Sequence, residues 1–146
     1  MTHTEALVIL NMVDHIGPVS VRRMMEKFGS AEAILEASIS DLRVVEGVGN
    51  KSARAISDWR HTIPWETELE SIQKHGLQVL TQADADYPFH LKQIHDPPLA
   101  LYVRGKLEGA EKNSLAMVGS RQTTHYGQET ARLLGFQFGN IGMSVV

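Results

Sequence analysis

Apolar residues recur at helical spacing from the first turn of the chain. Thr2-x-x-Glu5 has the form of a capping box. Behind it Ala6, Ile9, Leu10 and Val13 follow a 3.6-residue period, and Leu7 and Val8 widen the face. A stripe that wide predicts a central, largely buried helix, ended by Gly17-Pro18. A second helix is expected from about Ser20 to Phe28, stopped at Gly29, a natural residue for the left-handed position after a helix. Ser30 then caps a short helix through Ala37, and Ser40 another that ends near Val45. Beyond Gly47-Val48-Gly49, a helix of about Asn50 to Arg60 turns Ala53, Ile56 and Trp59 inward. Pro64 opens one more, with Trp65, Leu69 and Ile72 on one face, Glu70 and Lys74 at ion-pair spacing, and Gly76 closing it.

After Gly76 the period changes. Leu77 to Thr81 reads as a short strand, Ala83 to Tyr87 as a polar turn, and Pro88 to Ile94 as a helical turn. Asp96-Pro97-Pro98 is a rigid extended breaker. Leu99 to Val103 and Leu115 to Val118 are β-like. The second, a continuous apolar run, suits a parallel strand buried on both faces. Tyr126 to about Ile141 reads as a helix with Ala131, Leu134, Phe138 and Ile141 on one stripe, and Met143 to Val146 as the start of another strand. The expected architecture is therefore two domains. Residues 1–76 form an all-α helix-hairpin-helix (SAM-like) domain, and 77–146 the incomplete start of an α/β Rossmann-like domain.

Composition narrows the chemistry. The 146 residues are 42% hydrophobic and 21% charged, an ordinary globular balance. With no cysteine there is no disulfide scaffold and no thiolate metal site. The seven histidines form neither HExxH nor His-x3-His, so no metal is expected. No apolar run approaches the roughly 20 residues of a membrane span, and a cytoplasmic protein is the default. The net charge of −3 opposes general attraction to nucleic acid, so any such binding must rest on local basic clusters and backbone N–H groups.

One such place is Val45-Glu46-Gly47-Val48-Gly49-Asn50-Lys51-Ser52, which has the form of two short helices joined by a Gly-hydrophobic-Gly turn. Gly47 and Gly49 permit tight backbone geometry, and Val48 packs between the helices. The N–H groups opening the second helix face a point where a phosphate could sit, flanked by Lys51 and Arg54. Equally, the hairpin can be a connector without a ligand, and Glu46 would repel a phosphate. Ile16-Gly17-Pro18-Val19-Ser20, followed by Arg22, Arg23 and Lys27, is a degenerate earlier copy of the unit. The other place is Gly119-Ser120-Arg121 after the Leu115–Val118 run, with Thr123 or Thr124 to cap the next helix and Gly127 in its first turn. Phosphates bind at such strand-to-helix loops. The loop matches neither GxGxxG nor a P-loop, and a plain turn remains the alternative. Tyr126 could stack on a base or serve packing.

Tyr87-Pro88, Asp96-Pro97-Pro98, Tyr102-x-Arg104-Gly105, Gly119-Ser120-Arg121 and Tyr126-Gly127, in that order, resemble the DprA/Smf family of DNA-processing proteins. The segment from Ile16 to Ser30 resembles that family's helical front domain. The resemblance implies a non-enzymatic, cytoplasmic protein without a cofactor. It would bind single-stranded DNA and load the RecA recombinase during natural transformation, acting as a homodimer. It places Gly119, Ser120 and Arg121 in the DNA pocket and Gly127 at the helix start as a packing residue. The family continues past the position of Val146 with a Ser-Gly-x-Ala-x-Gly-Ile-Asp segment, so a truncated N-terminal fragment with exposed apolar surface and a less stable α/β part is expected.

Three other readings compete. One is a nucleotide-binding enzyme of the nucleoside monophosphate phosphoribohydrolase type, which would need a PGGxGT-like loop that the chain lacks. Another is a metal-dependent nuclease built on Asp84-Ala85-Asp86, for which a solvated turn is the simpler account. The last is a helical interaction module with Trp59 and Trp65 as partner anchors, against core packing of both.

Overall fold

The computed structural model describes residues 1–107 and 113–146, which form two compact units. The first comprises Met1–Tyr87 with Leu91–Lys106, and the second Pro88–His90 with Leu107–Val146.

In the first unit, α1 (His3–Met12) begins at the expected capping box: Thr2 Oγ1 accepts from the Glu5 amide and Glu5 accepts from the Thr2 amide. Five consecutive residues, Ala6 to Leu10, are buried, so the helix is covered on all sides. It ends before Gly17-Pro18, which instead open α2 (Pro18–Phe28) rather than closing α1. The helix starts two residues earlier than Ser20 because Pro18 at the first position gives up an N–H that has no intrahelical partner there. Gly29 takes the left-handed conformation with φ 85°. Ser30 caps α3 (Ala31–Glu36). Ser38, and not Ser40, caps α4 (Ile39–Arg43), because its hydroxyl accepts from the Asp41 amide three residues on. The expected Asn50–Arg60 helix is two: α5 (Asn50–Ser57) and α6 (Trp59–Thr62), broken at Asp58. Helix α7 spans Trp65–Lys74.

Residues 10–24 and 42–56 repeat one another at a constant spacing of 32. The pairs Leu10/Leu42, Val21/Ala53 and Met24/Ile56 are all fully buried. His15 and Gly47 are an equivalent pair with φ 64° and 85°. Gly17 and Gly49, also equivalent, are extended and stand just before α2 and α5. The contacts are reciprocal too. Ser52 Oγ donates to the His15 carbonyl at 2.9 Å, while a methyl group on Gly47 would stand 3.7 Å from Ser20 Oγ. Such reciprocity is the mark of a two-fold relation between the hairpins.

Strands β1 (Gln78–Thr81) and β2 (Ala100–Val103) pair antiparallel, Leu80 opposite Leu101, and pack against α1 within the same unit. Leu99, directly after the prolines, is 7% exposed and belongs to the helical core with Leu7, Val21 and Ile34. The Asp-Pro-Pro segment is fixed by its carbonyls. Gln82 Nε2 donates to those of Pro97 and Pro98, Tyr87 Oη to that of Pro98 at 2.9 Å, and Arg22 to that of His95. A one-turn helix, α8, covers Phe89–Lys92.

In the second unit, β3 (Ser114–Leu115) and β4 (Ser144–Val145) pair parallel across α9 (His125–Asn140). The expected strand from Leu115 to Val118, buried on both faces, is corrected here. The assigned strand ends at Leu115, although the Met117 amide still donates to the Val146 carbonyl at 2.7 Å; Val118 is 90% exposed, because β3 has a single neighbour and no covering layer among the described residues. Leu133, Phe136 and Ile141 are likewise exposed. Of the expected α9 stripe, Phe138 is half-buried while Ala131, Leu134 and Ile141 are exposed.

Candidate nucleic-acid interface

The Gly47-Val48-Gly49 turn is built by three local causes. The chain leaves α4 at Val44, and Gly47 at φ 85° reverses it in a conformation that an L side chain resists. Val48 then drops into the core, 6% exposed. Gly49 is extended and no side chain caps α5, so the amides of its first turn keep their outward donors. Lys51 and Arg54 are exposed, three residues apart on one helix face. Glu46 does not stand alone: Arg23 lies 3.5 Å from its carboxylate and donates to its carbonyl at 3.2 Å.

The earlier hairpin is differently committed. Pro18 removes one of the opening amides, and its basic side chains turn to the protein. Arg22 donates to the His95 carbonyl, Arg23 to that of Glu46, and Lys27 to that of Asp41.

In the second unit, Gly119, Ser120 and Arg121 are exposed on an irregular loop that runs into α9. Ser120 Oγ accepts from the Gln122 amide at 3.3 Å. Thr124, one of the two expected caps, accepts from the Gly127 amide. A Cβ on Gly127 would come within 2.5 Å of Thr123 Oγ1, so the glycine lets the loop fold onto the helix start. Gly119 has open space where a side chain would be. Tyr126 is 79% exposed and is not a core residue of this unit. The two clusters, Gly47/Gly49/Lys51/Arg54 and Gly119/Ser120/Arg121/Gly127, belong to different units.

Other sequence candidates resolve into structure. Asp84 Oδ2 accepts from the Thr81 amide at 2.7 Å and its hydroxyl at 2.8 Å, and these two bonds hold the carboxyl below its ordinary value. It caps a turn, and no group of three or more metal-ligating side chains occurs among the described residues. Trp59 is buried, donates to the Leu35 carbonyl and meets Trp65 edge-on at 5.6 Å. Burial raises the Tyr87 phenol. Burial and the Glu68 carboxylate push Tyr102 up to about 12. No described helix is long and apolar enough to cross a membrane. The anchoring of the prolines by Gln82 and Tyr87 had no sequence signal beyond the Tyr-Pro and Asp-Pro-Pro motifs. Residues 11 to 16 apart across an irregular segment cannot be paired by periodicity.

Two packed hairpins of this kind define a tandem helix-hairpin-helix module, and residues 8–58 match the family model described as a SAM-like helix-hairpin-helix tandem. Residues 78–146 match that of DNA recombination-mediator protein A. The chain is 31% identical over 140 residues to Protein Smf of Synechocystis sp., an alignment covering 93% of this chain and 35% of that protein. Over the stretch these matches cover, the chain is similar to the DprA/Smf proteins. It spans about a third of the length of the relative it matches.

Proposed function

We propose that this chain is the DNA-binding front of a DNA-processing mediator that holds single-stranded DNA and, as a whole protein, loads RecA during transformation. The observation that carries the reading is the exposed Gly119-Ser120-Arg121 loop leading into the Thr124-capped α9, inside the stretch that matches the mediator family. Ser120 and the first amides of α9 would donate to a phosphate, and Arg121 would clamp it with two donors. Gly119 leaves the backbone open to approach, and Gly127 keeps the loop seated on the helix. The parallel β3–α9–β4 arrangement supports reading the second unit as the opening of a Rossmann-like domain. The proposed 1–76 and 77–146 division follows the change of sequence pattern, while β1 and β2 pack with the helices in the first compact unit. Gly47, Gly49, Lys51 and Arg54 offer a second, auxiliary phosphate contact.

On this reading the protein acts in the cytoplasm, without cofactor or catalytic step. Homodimerisation and RecA contact belong to the full-length family member.

Fluorescence anisotropy of a labelled oligo-dT, titrated with the chain across a salt series, tests the proposal. Arg121→Ala should weaken binding by about 1.5–3 kcal/mol, or roughly 10- to 150-fold. Binding that the substitution leaves unchanged would remove the loop from the site, and no binding by the parent would remove the claim for this chain.

A further inference from the structure

The two hairpins are built alike but are not filled alike. In the second, the Arg23 guanidinium reaches from α2 to the turn, donates to the Glu46 carbonyl at 3.2 Å and lies 3.5 Å from the Glu46 carboxylate. The 32-residue repeat makes Ala55 the counterpart of Arg23 and Asp14 the counterpart of Glu46. At the first hairpin, where a guanidinium should stand by that symmetry, a methyl side chain leaves the place vacant. A cleft of about 440 Å³ lies there, lined by Asp14, His15 and Ala55. A cavity of roughly 150 Å³ is enough to hold benzene.

We infer that this cleft is a binding site for the guanidinium of an arginine presented by a partner protein. Asp14 lines it at the position in the repeat that Glu46 holds beside Arg23. Asp58 supplies a second carboxylate to the lining, and Met12, Ile63 and Pro64 an apolar wall for the aliphatic stem. The other charged or titratable groups on the cleft are Arg54 and His15. A planar fork of donors fits a carboxylate beside a carbonyl, as Arg23 does internally, and a lysine ammonium would forfeit that two-point match. The inference rests on the repeat and on the cleft, which shares only Arg54 with the auxiliary phosphate contact proposed above.

The test uses the whole chain labelled with nitrogen-15 and titrated with Ac-Gly-Arg-Gly-NH2. Parallel titrations use the same peptide carrying citrulline or lysine. The arginine peptide should give saturable shifts at the amides of Asp14, His15, Ala55 and Ile63. Citrulline, equal in shape but uncharged, should bind at least about tenfold more weakly, the loss of a charge-assisted hydrogen bond. Ala55→Arg supplies the missing guanidinium from within and should abolish the response. Asp14→Asn should weaken it about tenfold by the same reasoning. Absence of shifts in the parent, an equal response to citrulline, or undiminished binding by a folded Ala55→Arg chain would overturn the inference. If Ala55→Arg does not fold, undiminished binding by Asp14→Asn overturns it instead.

Discussion

Truncating Leu99 to alanine should destabilise the helices, although Leu99 lies outside every helix and follows a proline pair. Its side chain is 7% exposed within the cluster that includes Leu7, Val21 and Ile34. Leucine-to-alanine changes in cores cost about 2–5 kcal/mol, more where the void cannot close. Leu99 also borders a cavity of about 230 Å³ with Val21 and Met25, so its surroundings are already open. The expected cost therefore falls at the low end, about 2–3 kcal/mol. Trp59 and Trp65 report on the helical core and lie in neither strand, so their fluorescence during urea unfolding isolates the effect. With a slope of about 1.5 kcal/mol/M for a unit of this size, the midpoint should fall by roughly 1.3–2 M. A tryptophan transition within about 0.3 M of the parent would refute the argument. It would mean that β1 and β2 unfold separately from the helices.

Two further outcomes follow from the geometry. Gly47→Ala should cost about 1–2 kcal/mol from its left-handed backbone alone, lowering the melting temperature by several degrees. Gly49→Ala, extended and with open space at its Cβ, should change it little, and equal losses at the two positions would contradict the turn described. The Asp84 carboxyl is held below its ordinary value near 3.8, so its contribution is full above that pH and is lost as pH falls through the lowered value. Asp84→Asn should therefore flatten acid unfolding below about pH 3.8, whereas an unaltered acid transition would show that the Thr81 contacts contribute nothing.

Local signals explain which parts of the fold were legible. The capping box at Thr2, the Ser30 cap, Gly29 and the Gly47–Gly49 turn each depend on residues within four positions of one another, and each is found where expected. Ser38 and Ser40 both carry a capping hydroxyl, and only backbone geometry separates them. The break at Asp58 has neither glycine nor proline to announce it. Val118 carries the pattern of a buried strand, yet burial depends on what lies over it. At the candidate interface, glycine spacing and exposed Arg121 were readable. The commitment of Arg22, Arg23 and Lys27 to carbonyls far along the chain was not, because a basic residue reads the same whether it faces solvent or caps a loop. The degenerate first hairpin was visible, but His15 in the left-handed region showed no glycine to mark it.

The hydrogen bonds from Gln82 and Tyr87 to the proline carbonyls carry a consequence for reading relatives of this chain. The Tyr-Pro and Asp-Pro-Pro motifs are the two halves of a single joint, held together by a phenol, an amide and two carbonyl oxygens. A change in one half alters what the other must supply: a tyrosine lost leaves the Pro98 carbonyl with the longer Gln82 bond alone, and a proline replaced frees the loop that the tyrosine was holding. Positions 82, 87, 97 and 98 should consequently drift as a set when the family diverges. Their persistence in a distant sequence would testify to the preserved joint and carry no message about DNA.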